Sequence, residues 1–228
     1  MYVVGGYDQD YTAQNVTFRI STESFPGGLS TELMAPLNDA RGDIHAVIID
    51  DLAYVTGGYT HEDGQGGFCL PHSSTERYDV NTNKWTMIDD METGRADKAL
   101  VALNGQIFAV GGESKDVELC TGDTAEYTMP LNDIEVLKDP HLNVTWQSVA
   151  TAPSRTFRFA GAAHPPTSTV FVFGGQEFYS AACECFATSD TITKFVDHEH
   201  TDSTEESSSA AKFDIIMFAF VISSIMLI

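Results

Sequence analysis

Positive charge is scarce in this chain: 12 lysines and arginines stand against 33 aspartates and glutamates, a formal net charge of −21 at pH 7. A field of that sign repels phosphate backbones and attracts cations and basic proteins. Nucleic-acid binding is therefore excluded, and a basic protein partner suits the surface. Cysteine is scarce too, with Cys69, Cys120, Cys183 and Cys185 the four in 228 residues. That is few for a disulfide scaffold, although an even number leaves three pairings open. No leader precedes the first apolar run, Tyr2-Val3-Val4. The seven histidines are scattered, and Cys183-Glu184-Cys185 lacks the Cys-x-x-Cys spacing of zinc and redox sites. No catalytic, cofactor-binding or metal-ligating set is read from the sequence.

Glycine doublets organise what is present. Each closes a short apolar run: Tyr2-Val3-Val4-Gly5-Gly6, Ala53-Tyr54-Val55-Thr56-Gly57-Gly58, Ile107-Phe108-Ala109-Val110-Gly111-Gly112 and Val170-Phe171-Val172-Phe173-Gly174-Gly175. The intervals Gly5 to Gly57, Gly57 to Gly111 and Gly111 to Gly174 are 52, 54 and 63 residues. Such a period marks repeated supersecondary units. Arginine provides a second marker, since Arg41 and Arg95 each precede a doublet by 16 residues and Arg155 precedes Gly174 by 19. Extra turn residues in His164-Pro165-Pro166-Thr167-Ser168-Thr169 account for the longer third interval. Tryptophan late in the unit is the third marker, at Trp85 and Trp146.

The order of doublet, turn-rich Asp/Asn segment, tryptophan and arginine resembles the kelch repeat, over residues 1–196. The resemblance implies an all-β fold, a kelch-type β-propeller fragment of about three to four four-stranded blades. Strands rich in Val, Ile, Tyr and Thr are expected at 43–49, 53–56, 75–80 and 84–88, then at 98–103, 107–110, 133–138 and 145–149. Asp50-Asp51 and Asn104-Gly105 fall where tight hairpins need positive φ. Trp85 and Trp146 are expected to cover seams between blades. The first unit starts at its second strand and the last runs into a polar tail before a fourth, so an incomplete ring with a truncated N-terminus is expected.

Residues 197–212 read as an acidic, serine-rich disordered linker. Residues 213–228 read as a hydrophobic C-terminal helix, anchor or anchor signal, because Ile215 to Ile228 carry no charge. Three readings stand: a glycolipid-anchor signal, a short transmembrane tail, or an accidental apolar end. Sequons at Asn15 and Asn143 are consistent with N-glycosylation in a secretory route. The cysteines lie 8 to 11 residues after their doublets, in equivalent loops, where disulfides are feasible and the pairing stays open. Arg41-Gly42-Asp43 matches an adhesion tripeptide, but its arginine is the repeat marker, which favours coincidence.

Two functions follow. The first is a protein-interaction or adhesion module held at a cell-surface membrane through its C-terminus, without a cofactor. The alternative is an extracellular kelch-type enzyme, a copper oxidase or carbohydrate isomerase, since galactose-oxidase-like proteins share the architecture.

Overall fold

The structure, a computed structural model, describes residues 1–21, 28, 30–60, 71–115, 127–142 and 145–198, and the backbone of 213–219. Among the described residues four antiparallel blade sheets follow one another along the chain, with a fifth, two-stranded sheet inside the last. Blade I has three strands, β1 (Tyr2–Val4), β2 (Thr17–Ser21) and β3 (Ser30–Leu33). Blade II has β4 (Ala46–Ile49), β5 (Leu52–Thr56), β6 (Thr75–Asp79) and β7 (Lys84–Ile88), in that spatial order. Blade III repeats it with β8 (Ala99–Leu103), β9 (Gln106–Lys115), β10 (Thr128–Leu137) and β11 (Gln147–Thr151). In blade IV, β12 (Ala160–His164) and β13 (Thr169–Phe173) come first. A small hairpin, β14 (Gln176–Ser180) and β15 (Cys185–Thr188), intervenes before β16 (Thr191–Asp197) and β17 (Phe213–Ala219) complete the sheet.

First strands of successive blades lie against one another, β4 against β8 and β8 against β12, so they form the hub. Apolar side chains on facing sheets fill each seam. Tyr2 and Val4 of blade I meet Ala53, Val55, Tyr78 and Trp85 of blade II. Tyr54 and Ile88 meet Ile107, Ala109 and Trp146 across the next seam, and Phe108, Val110 and Val136 meet Val170, Val172 and Phe195 across the third. Each indole also donates to the preceding blade, Trp85 Nε1 to Thr17 Oγ1 at 3.0 Å and Trp146 Nε1 to Thr75 Oγ1 at 3.1 Å. These donors lie in an apolar seam where an unmade hydrogen bond would cost about 1–3 kcal/mol.

The doublets sit where one blade meets the chain entering the next. Gly57 has φ +66°, and a Cβ there would stand 2.1 Å from the Arg95 carbonyl oxygen. Glycine alone avoids both the strained φ and the clash. The Gly58 N–H then donates to that same Arg95 carbonyl at 2.9 Å.

Two expectations are corrected at the C-terminus. Phe213–Ala219 form a strand, not a helix, pairing antiparallel with β16 from Thr191↔Ala219 to Asp197↔Phe213. The last blade therefore has its fourth strand, and the repeat region crosses the expected boundary at residue 196. Both uses of the segment draw on its apolar character; β16 presents a backbone edge that a strand satisfies and a separate helix would not. No helix among the described residues is long and apolar enough to cross a membrane. The linker at 199–212 and residues 220–228 lie outside the described residues, as does most of the turn-rich segment after Gly58.

Candidate functional site

Arg41 and Arg95 do structural work. Both are fully buried. The Arg41 backbone carbonyl accepts from Gly6 of blade I at 2.9 Å, while its guanidinium donates within blade II to Gly57 O, Ser74 O, Ser74 Oγ and Glu76 Oε1 at 2.8–3.1 Å. Arg95 repeats the pattern one seam on, with its carbonyl on Gly58 and its guanidinium on Gly111 O, Asp133 and Glu135. Backbone fastens the residue to one blade and side chain to the next. The glutamates are held as firmly: Glu76 accepts from Asn38 N and Asp39 N, and Glu135 from Glu92 N and Thr93 N. Burial pushes the Glu135 carboxyl up while Arg95 and these N–H groups pull it back.

Arg155 does not belong to this series. It is exposed and donates to Pro130 O at 3.2 Å. The carbonyl that Gly112 N reaches belongs to Thr156, so Thr156 holds the position of Arg41 and Arg95. The register error is one residue. A 3-10 turn at Pro165–Thr167 supplies the longer connection between β12 and β13.

With glycine, arginine and tryptophan committed to seams, the variable residues gather at the doublet end of the hub. Two residues past each arginine position stand Asp43, Asp97 and Arg158, all with φ near +50°. They stack blade by blade, Asp97 N donating to Asp43 O at 3.1 Å and Arg158 N to Asp97 O at 2.9 Å. Immediately after the doublets stand Tyr7, Tyr59, Glu113 and Gln176. The Tyr7 hydroxyl donates to Asp43 at 2.8 Å and the Tyr59 hydroxyl to Glu113 at 3.2 Å. Arg158 donates to Asp97 at 2.8 Å and to Gln176 at 3.3 Å. Two phenols, three carboxyls, a guanidinium and an amide thus gather at the doublet end of the hub.

Two members of this region are electrostatically unusual. Burial pushes the Glu113 carboxyl up to about 7. Burial, with Arg95 and Arg41 adding repulsion, brings the Lys98 ammonium down to about 7; its Nζ donates to Thr56 O. Lys98 stands where blades II and IV carry Ile44 and Phe159.

Of the remaining sequence-derived residues, Cys183 in the turn after β14 is bonded to Cys185 at the start of β15. Cys69, Cys120 and Asn143 lie outside the described residues. Asn15 is exposed, its Nδ2 donating to Leu37 O at 3.4 Å, whereas Thr17 of that sequon is buried at the Trp85 seam. Sequence reasoning missed the hub ring and the two glutamates. A signal for the ring existed in Arg41-Gly42-Asp43 and Arg95-Ala96-Asp97, where the same Arg-x-Asp spacing recurs. Buried Arg41 rules out the adhesion-tripeptide reading. A single glutamate inside Ile134-Glu135-Val136 was the fainter sign of a buried acceptor.

A kelch motif model matches residues 40–92, the linker and sheet of blade II. This chain carries a kelch motif. Human Kelch-like protein 28 is 33% identical over 89 residues, 39% of the kelch chain and 16% of that protein. Mouse influenza virus NS1A-binding protein homolog is 30% identical over 95 residues, 42% of the kelch chain and 14% of that protein. The kelch chain thus matches about a sixth of the length of these relatives. The structure of YjhT superposes with a TM-score of 0.68 at 16% identity, covering 97% of this chain and 65% of that one. That likeness shows the β-propeller fold.

Proposed function

We propose that this kelch chain is a protein-binding module that recognises its partner at the doublet end of the hub. One observation carries the reading: the residues common to the repeats are spent in the seams, while Tyr7, Tyr59, Glu113 and Gln176, with Asp43, Asp97 and Arg158, vary on a rigid frame at one mouth. Variable polar and aromatic groups on an invariant scaffold suit recognition. The relative named for binding NS1A is consistent with that role, and the net charge of −21 selects a basic partner. The test is quantitative affinity capture with the double variant Asp43→Asn, Asp97→Asn, which keeps residues tolerant of positive φ. Captured proteins should fall away with this variant and persist with Asp51→Asn at the opposite hairpin; equal capture by both sinks the proposal.

Attachment to a membrane is the finer part of the proposal, supported by the uncharged run Ile215 to Ile228. The same segment cannot be the outer strand of blade IV and lie in a bilayer, so a tethered module would hold blade IV with three strands. Fractionation of cells expressing the chain with and without residues 213–228 tests this: release on deletion supports the tether, and a chain that is soluble throughout refutes it.

A further inference from the structure

Among the described residues, one buried carboxylate oxygen lacks a hydrogen-bond partner. Glu76 and Glu135 each hold a guanidinium and two backbone N–H groups. Glu113 is 2% exposed, its backbone is used by Ala96 in both directions, and its Oε1 accepts from Tyr59. Its Oε2 is buried and has no hydrogen-bond partner among the described residues. A buried acceptor left unmade is costly, and native structures keep few of them.

We propose that Glu113 receives the ammonium of a lysine side chain presented by a protein partner at the hub mouth. This rests on the protein-binding reading and specifies the chemistry of the partner. The charged groups facing the carboxyl come from two blades, III and IV. Asp97 repels it, whereas Lys115 and Arg158 attract it. Arg158 directs its donors to Asp97 and Gln176, and Lys115 Nζ donates to Thr128 Oγ1 at 2.6 Å. Tyr59 occupies Oε1, so the remaining acceptor is one oxygen. A compact ammonium with independent donors fits a single acceptor, where the planar fork of arginine would seek two. Asp43 and Asp97 lie close enough to act on the Tyr59 hydroxyl, which places a second and third negative charge beside the approach. Among the described residues no group of three or more His, Cys, Asp or Glu side chains is disposed to hold a metal ion.

Such a contact has a proton signature. With no cation present, burial holds the Glu113 carboxyl up to about 7, and an ammonium at Oε2 favours the ionised form. Titrating the 228-residue chain with a tetralysine peptide at pH 7, in two buffers of different ionisation enthalpy, should reveal release of about half a proton per site. Glu113→Gln should bind about tenfold more weakly and release none. Asp51→Asn, which removes one charge at the far hairpin, should match the wild type. Peptide binding that Glu113→Gln and Asp51→Asn weaken equally, binding without proton release, or no binding at all each overturns the proposal. Circular dichroism of Glu113→Gln should keep the wild-type sheet signal; if it is lost, Tyr59→Phe, which leaves the carboxyl in place, should still release the proton, and failure to do so is equally decisive. Equal affinity capture by the Asp43→Asn, Asp97→Asn double variant and by Asp51→Asn would instead strike the protein-binding reading, independently of the peptide result.

Discussion

Blades III and IV solve one packing problem with different chemistry. In blade III the chain enters through buried Arg95, whose guanidinium reaches Glu135, and a buried Lys98 follows three residues on. In blade IV the corresponding residues are Thr156 and Phe159, and Thr193 holds the place of Glu135; all three are at most 8% exposed. Arginine and glutamate have disappeared together, as they must, because either alone would be an uncompensated buried charge. The backbone contact survives in both blades, Gly58 to Arg95 and Gly112 to Thr156, each at 2.9 Å. A blade of this fold therefore needs the carbonyl at that position, and the charge is an added fastening.

Breaking the pair tests the comparison most strongly. Glu135→Thr alone should destabilise the chain by about 3–5 kcal/mol, since Arg95 is left buried without its carboxylate. Arg95→Thr together with Glu135→Thr turns blade III toward the blade IV solution and should cost less than either single change in urea unfolding. A double variant as weak as the sum of the singles would mean that blade IV is stabilised by something else.

Removing the other charge should act in the opposite direction. Lys98→Met imitates the apolar Ile44 and Phe159 and should stabilise by about 1–3 kcal/mol at pH 7, because no desolvated ammonium remains. The folded Lys98 is pushed below its unfolded value of 10.5 to about 7, so wild-type stability is lost as pH falls from 10.5 through 7. The advantage of Lys98→Met should therefore be largest below pH 7 and shrink above it. Glu113 has the reverse sign: its folded carboxyl is raised from 4.5 to about 7, so its contribution is present below pH 4.5 and lost as pH rises through 7. Glu113→Gln should flatten that part of the stability profile, and a profile unchanged by either variant would remove both groups from the account.

Smaller effects sharpen the contrast. Trp146→Phe keeps an aromatic at the seam but removes the donor to Thr75, and should cost about 1–2 kcal/mol by thermal unfolding. Thr156→Val in blade IV keeps shape and backbone and should cost less than about 1 kcal/mol. A larger loss there would assign Thr156 a side-chain role that the comparison with Arg95 does not include.

Much of the architecture was legible because its demands are local. A position with φ near +60° and a carbonyl against its Cα admits glycine, so Gly57-Gly58 and its counterparts marked the end of each second strand and set the repeat length. The place of the inserted turn at Pro165–Thr167 followed from the same periodicity. Positive φ at Asp43 and Asp97, by contrast, shortened the first strands that residue composition alone extended to Asp43 and Lys98.

Other features became visible only when the blades stood side by side. Arg155 matched the arginine pattern, yet Thr156 takes the position, because the choice is made by which carbonyl reaches Gly112 and not by residue type. Glu76 and Glu135 lie 35 and 40 residues beyond their arginines, and loops of unequal length erase any fixed spacing between partners. Glu113 is distinguished by an empty acceptor, which depends on every neighbour folded around it. The C-terminal run was equally apolar whether destined for a bilayer or a sheet edge, since hydrophobic burial is non-directional. Composition and period determined that this chain builds kelch blades with an acidic surface; the meeting of separate blades decided which charges are paired, which carboxyl is left waiting, and that Phe213–Ala219 close the fourth sheet through the hydrogen bonds that β16 leaves open.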